Sequence, residues 1–293
     1  MTYRIEKSRD SLIIKGLKDF KPSHIFECGQ CFRWKREDDN SYTTIASGRV
    51  INIKEEDHDF IVKGTTLEDW NGFWHHYFDL DRDYSKIKKK LSKDPILDEA
   101  IRFGYGMRLL NQDPYETIIS FIISANNQIP RIKSAVELIS TDLGEFILNY
   151  NGKDYYSFPQ PDKLASKSEE YIREKYRVGF RADRIREVSR RIAQGEFDHQ
   201  CIFDFDHKNG KELLTTLPGV GPKVSDCILL FAYDKSEAFP VDVWVKRVME
   251  YFYFKRNATK RELEESGEKL FGDLAGFAQQ YLFYYAREMG IGK

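Results

Sequence analysis

Hydrophobic periodicity changes once along this 293-residue chain, near Thr66, and that change restricts which folds are open to it. Upstream, the runs SLIIKG, QCFRWK, SYTTIASGRVINIKEE and DFIVKG alternate between apolar and polar residues and are separated by Asp, Asn and Gly clusters. Alternation sends successive side chains to opposite faces, so this stretch is expected to form an antiparallel sheet. Downstream, YSKIKKKLSKDPILDEAIRFG, ETIISFIISANNQIPRIKSAVELIS and DRIREVSRRIAQG carry the helical spacing. No repeat, low-complexity tract or long linker separates the two textures, so sheet and helices should pack directly together. The expectation is an α+β fold, with an N-terminal antiparallel β-sheet domain over residues 1–115 that also holds the leading helices, packed on a mostly α-helical domain over 116–293. A cleft where they meet is a natural ligand site.

No apolar run approaches the roughly 20 residues that cross a bilayer, and MTYRIEKSRD has no apolar stretch resembling a signal peptide. No membrane partner is expected, and the cytoplasm is the default location, with the nucleus left open. Four cysteines, at 28, 31, 201 and 227, are too few for a secreted disulfide framework of this length. Cys28 and Cys31 form a CxxC, but Cys201 and Cys227 do not supply the second close pair of a structural zinc site, so no metal is expected. The net charge of −1 decides nothing about nucleic acid, because binding needs a local basic face. Between Lys163 and Arg191 ten Lys and Arg stand against five Asp and Glu, which fits a solvated helix surface and a phosphate-facing patch equally well.

The segment richest in chemistry is KELLTTLPGVGPKVSDCILLFAYDKSEAFPVDVWVKR, from Lys211 to Arg247. A short helix ending near Leu217 turns through PGVG into a second helix with Pro222 at its first position, where a missing N–H costs nothing. This is a helix-hairpin-helix. Gly219 and Gly221 free the turn of side chains, so backbone N–H groups beside a helix N-terminus can point outward at an anion such as a DNA phosphate. Such contacts are blind to base sequence, which suits a protein that scans any DNA. A plain tight turn also fits a bare GxG; LPGVG followed by PK is more specific.

Lys223 falls in the first turn of that second helix, where the helix dipole opposes a positive charge and favours a free amine. It is placed to be a nucleophile, although surface lysines are common. Cys227, four residues on, shares its helix face, while Val224, Ile228 and Phe231 are expected in the core. Cys227 read alone is a small buried hydrophobe. Asp242 follows Pro240 just ahead of another helical run, so its plainest role is an N-cap. A carboxylate held there can also orient a reacting lysine and stabilise positive charge on a sugar. The 19 residues between Lys223 and Asp242 span about one helix and a return loop, so both can reach one site.

The hairpin with its downstream aspartate resembles the helix-hairpin-helix, Gly/Pro-Asp superfamily of DNA glycosylases. Other segments resemble, within it, the eukaryotic-type 8-oxoguanine DNA glycosylase/AP lyase. CGQCFRW at 28–34 resembles that family's Gly-Gln-x-Phe-Arg-Trp segment, SANNQIPR at 124–131 its Asn-rich loop, and GFAQQYLFYYAR at 276–287 its final helix. The resemblance spans most of the chain, with four separated motifs in the right order.

The resemblance implies a bifunctional enzyme acting on double-stranded DNA that contains an oxidised purine, as a monomer and without a cofactor. The damaged nucleotide would be flipped into a pocket, because its C1′ atom is unreachable inside the stack. The carbonyl of Gly29 would accept a hydrogen bond from N7–H of 8-oxoguanine, a proton that guanine lacks. Gln279 would read the base edge, with Phe283 stacked on one face of the ring and Cys227 on the other. Lys223 would displace the base and form a Schiff base, with β-elimination then breaking the strand, and Asp242 would assist. Asn126 would fill the hole left by the base and Arg131 would bond the orphaned cytosine. Phe180, Arg181, Gly219, Gly221 and Trp244 complete the DNA-contacting set.

Two positions depart from the family pattern. Phe180 stands where a tyrosine that wedges beside the opposite base is usual, and Trp244 stands where a phosphate-contacting histidine is usual, so the resemblance does not carry a preference for the opposite base. Residues 102–114, RFGYGMRLLNQDP, also match and are read as helix packing. Three rivals are weaker. Thymine-glycol and adenine glycosylases commonly have four clustered cysteines near the C-terminus, and none follows Cys227 here. An alkylpurine glycosylase usually lacks the lysine at 223, and a non-catalytic DNA-binding module needs neither Lys223 nor Asp242.

Overall fold

The computed structural model describes residues 3–291. The expected α+β architecture is present. Six antiparallel strands, β1 (Arg4–Lys7), β2 (Ser11–Lys15), β3 (Trp34–Arg36), β4 (Tyr42–Ala46), β5 (Arg49–Glu56) and β6 (Asp59–Lys63), form one sheet in the order β1-β2-β6-β5-β4-β3. Two tight turns set its register. Ser47 and Gly48 join β4 to β5, and Asp57 and His58 join β5 to β6, all four with positive φ. Two-residue turns of that hand match the twist of the strands they connect. The face carrying Leu12, Ile14, Ile51, Ile53, Phe60 and Val62 is buried under Trp70, Trp74 and Phe78.

A second hairpin, β7 (Phe146–Tyr150) with β8 (Lys153–Tyr156), lies inside the part expected to be helical. It sets Tyr155 against Ile45 and Val50, which covers part of the sheet's other face.

Helices break where local chemistry says they should. Asp94 caps Pro95–Phe103 by accepting from the N–H groups of Ile96 and Leu97, and Pro95 disfavours helical angles at the residue before it. The run 84–104 is therefore two helices, Tyr84–Leu91 and Pro95–Phe103. The Asn-rich loop likewise separates Pro114–Ser124 from Ile129–Leu143, with Asn126 in the left-handed region at φ 52°. Among the described residues no helix is long and apolar enough to cross a membrane.

Residues 104–113 correct the expectation of helix packing. Beyond Phe103 the chain leaves the helix and runs without regular structure to Pro114, along the junction of sheet and helices. The fully buried Arg108 donates to the carbonyls of Phe78 (2.9 Å), Asp19 (3.1 Å), Asp79 and Arg82 (3.0 Å). Leu110 N–H donates to Gln30 Oε1 at 2.9 Å, and Gln112 N–H to the Phe231 carbonyl at 2.9 Å. A helix would keep these backbone groups for itself; extended, they pin the sheet to the helical part.

Candidate active site

The hairpin's first helix is His207–Leu214, ending three residues before the expected Leu217, and its second is Pro222–Ala232. Asp226, buried in the second, lies 2.8 Å from His207 Nε2 and 2.7 Å from Lys211 Nζ, both on the first. A buried carboxylate with two basic partners locks the two helices at one angle. Gly219 takes φ 87°, and a Cβ there would fall 2.8 Å from the Arg184 side chain, so the turn requires glycine twice over. Gly221 begins the second helix with no side-chain cap, which leaves the first-turn N–H groups without a side-chain acceptor.

Behind the turn lies a cavity of about 620 Å³. Lys223, Cys227, Asp242, Gly29, Gln279, Phe283, Asn126 and Trp244 all line it. Asp242 caps the helix Val243–Val248 by accepting from Val245 N–H at 2.8 Å, as its position suggested, and also faces the cavity. Burial holds its carboxyl above the usual range, against the pull of that N–H and of Lys223. Lys223 forms no ion pair among the described residues, and its Nζ lies 5.4 Å from the centre of the Phe121 ring. Burial pushes the Cys227 thiol up to about 11, with Lys223 opposing, so it meets a ligand as a neutral surface. Phe231 is in the core as expected, but it shares the face of Lys223 and Cys227 instead of pointing elsewhere. At positions 223, 227 and 231 the helix returns to one face, and Phe231 lines the cavity, stacked on Phe121 at 5.6 Å.

Two acceptors on the wall are open. Gln279 is 4% exposed, and its Oε1 has no hydrogen-bond partner. Gly29, at φ 84°, sits in a loop held by Gln30, whose Nε2 donates to the carbonyls of Ile25 (2.9 Å) and Arg108 (2.8 Å). Its own carbonyl accepts no hydrogen bond among the described residues. A Cβ at Gly29 would stand 3.1 Å from Phe283 and from Arg287, so no larger residue fits there without displacing the ring. The flanking cysteines go to separate cores, Cys28 to the helical one and Cys31 to that of the sheet. Among the described residues no three His, Cys, Asp or Glu side chains are gathered to hold a metal.

Arg131, Phe180, Arg181, Gly219 and Gly221 stand outside the cavity. Arg131 is exposed at the start of Ile129–Leu143, and Phe180 is 55% exposed on a short turn. Arg181, expected in the DNA-contacting set, turns inward. It is buried, and its guanidinium donates to the carbonyls of Ala125, Asn126 and Val178. It therefore fixes the Asn126 loop against the Phe180 turn. Lys246 and Lys260 line the cavity and were missed. The first could have been found, because it stands four residues after Asp242 on one helix face. Gln280, beside Gln279 in the GFAQQYLFYYAR segment, also lines the cavity, although that resemblance assigns roles only to Gln279 and Phe283.

Comparison with known proteins agrees with this geometry. Residues 12–118 match the family described as 8-oxoguanine DNA glycosylase, N-terminal domain, and residues 119–273 match the HhH-GPD superfamily of base excision DNA repair proteins. A probable N-glycosylase/DNA lyase of Methanothermobacter thermautotrophicus is 36% identical over 235 residues, covering 74% of each chain. The Clostridium acetobutylicum 8-oxoguanine glycosylase/lyase, solved with duplex DNA containing cytosine opposite 8-oxoguanine, is 43% identical with a TM-score of 0.96, over 99% of this chain and 100% of that one. A structure of MBOgg1 with a low-affinity DNA ligand is 46% identical with a TM-score of 0.95, over the same shares.

Proposed function

The chain belongs to the 8-oxoguanine DNA glycosylase family, built on the HhH-GPD fold of base excision repair, and from that premise we propose how its residues divide the reaction. It is an N-glycosylase/DNA lyase that removes 8-oxoguanine from DNA. One observation carries the assignment of roles: an unpaired lysine, a half-buried carboxylate and two unpartnered acceptors converge on one cavity.

The flipped base enters between Cys227 and Phe283. The Gly29 carbonyl accepts N7–H, and Gln279 Oε1 accepts from an N–H on the pairing edge. Guanine offers no proton at N7, so the Gly29 carbonyl would lose its water for nothing, at a cost of ~1–3 kcal/mol. Lys223 Nζ bonds to C1′ as the N-glycosidic bond breaks and the base leaves with the bonding pair. Asp242 steadies the positive charge on the sugar and takes a proton from the amine. The sugar then opens to a Schiff base, and loss of a C2′ proton expels the 3′ phosphate.

Outside the cavity, the hairpin N–H groups at Gly219 and Gly221 hold phosphate, and Lys246 and Lys260 add positive charge at the mouth. Asn126, Phe180 and Arg131 face the gap and the orphaned base, and Trp244 contacts the strand.

Borohydride tests this directly. It should reduce the Schiff base and trap the protein on duplex DNA carrying 8-oxoguanine. Retained DNA binding with no trapped species would make the chain a binding module.

A further inference from the structure

We infer that Gln280 and Arg287, on the terminal helix Ala275–Met289, are positioning residues that leave Gly29 as the single acceptor its loop offers to the base. The inference rests on the proposed role of the Gly29 carbonyl and concerns what holds that carbonyl in place.

Five successive carbonyls run from Glu27 to Cys31. The first accepts from Arg287 Nη2, and that of Cys28 accepts from Gln280 Nε2 at 2.8 Å. The fourth, of Gln30, accepts from Gln112 Nε2 at 2.8 Å, and the fifth, of Cys31, from Trp34 Nε1 at 3.2 Å. Only the third, of Gly29, accepts nothing among the described residues. The group left open is the one on the cavity wall.

The Cys28 carbonyl shares a rigid peptide plane with the Gly29 N–H, so Gln280 fixes the unit from which Gly29 projects. That control matters because glycine has the widest choice of backbone angles, and a hydrogen bond weakens steeply once it is misaligned. The Gln280 bond is made deep inside, since Gln280 is 2% and Cys28 0% exposed, and it spans 252 positions of sequence. Arg287 acts from the same helix. Its Nη1 is buried without a partner and lies 3.1 Å from where a Gly29 Cβ would be, while its guanidinium carbon sits 5.4 Å from the centre of the Phe283 ring. One side chain thus sets both the edge that reads N7–H and the ring that stacks on the base. These contacts act through Gly29 and Phe283 and touch no reacting atom.

The test compares two rates in the full chain: release of 8-oxoguanine, which needs the Gly29 carbonyl, and cleavage at a preformed abasic site, which has no base to read. Gln280→Leu keeps the volume and removes the donor, and it should lower the ratio of release to cleavage about tenfold. Arg287→Met should lower it in the same sense, and Arg287→Lys, which keeps a donor, should restore most of it. If the ratio holds in both Gln280→Leu and Arg287→Met, or if both rates fall together, the clamp is only structural and the inference is overturned. Should Gln280→Leu fail to fold, the Arg287 pair decides alone. Wild-type protein that released guanine as readily as 8-oxoguanine would overturn the role of Gly29 and the clamp with it.

Discussion

Around Arg108 and Gln30 every polar atom of the two side chains has a partner, whereas on the cavity wall Gln279 Oε1 and the Gly29 carbonyl have none and Lys223 has no counter-ion among the described residues. Gln279 is buried like that pair, while Gly29 and Lys223 are half-buried, and the open groups all face the cavity. An unsatisfied buried group costs stability, and Gln279 Oε1 is one that a ligand in the cavity can complete. The difference separates the frame that holds the sheet on the helices from the surface that waits for a base.

If that division is right, substitutions in the two regions should fail in opposite ways. Lys223→Gln should lower base release at least about a thousandfold while leaving the unfolding free energy within about 0.5 kcal/mol, because no ion pair is lost. Retained lesion binding in a gel-shift assay would show that only the chemistry has gone; full activity would remove Lys223 as the nucleophile. Arg108→Leu should do the reverse. Four carbonyls lose their donor, and the urea midpoint should report a loss of about 3 kcal/mol, with the protein that stays folded keeping its rate. Equal losses of rate and stability in both variants would dissolve the contrast.

Glu116 lies between the two regimes. Burial pushes its carboxyl up to about 7, against the pull of Arg33, whose Nη1 is 3.8 Å away. A carboxyl raised in the folded state favours folding while protonated. Its contribution is complete below the unfolded value near 4.5 and disappears as pH rises through about 7. Glu116→Gln should therefore flatten the decline of stability between these limits, leaving the variant about 2 kcal/mol better off at neutral pH relative to its acid value. Parallel stability profiles for variant and wild type would show that Glu116 titrates normally.

Much of this division can be read from the amino acids, for stated reasons. Alternation marks the sheet, helical spacing marks the rest, and the sharply punctuated PGVGPK marks the hairpin and its lysine. Asp242 is legible as an N-cap because it follows Pro240 just ahead of a helical run, and its place on the cavity wall follows from that position. The stretch from Gly104 to Asp113 is opaque, since Met107, Leu109 and Leu110 look like helix packing until the carbonyls that Arg108 serves are known. The β7–β8 hairpin is hidden because its strands are short and packed mainly through Tyr155. Arg181 shows a different limit: its neighbour Phe180 points to solvent, and only tertiary bonding shows the guanidinium turned the other way. The clamp on Gly29 joins residues more than 250 positions apart, and no local pattern encodes it.

Arg181 ties the loop bearing Asn126 to the turn bearing Phe180. With the DNA-facing roles proposed for Asn126 and Phe180, probes mounted on one stiff bracket would not adjust to each nucleotide, so the duplex would have to deform to fit them. A gauge of that kind would respond to how readily a base pair yields, before any atom of the lesion is inspected.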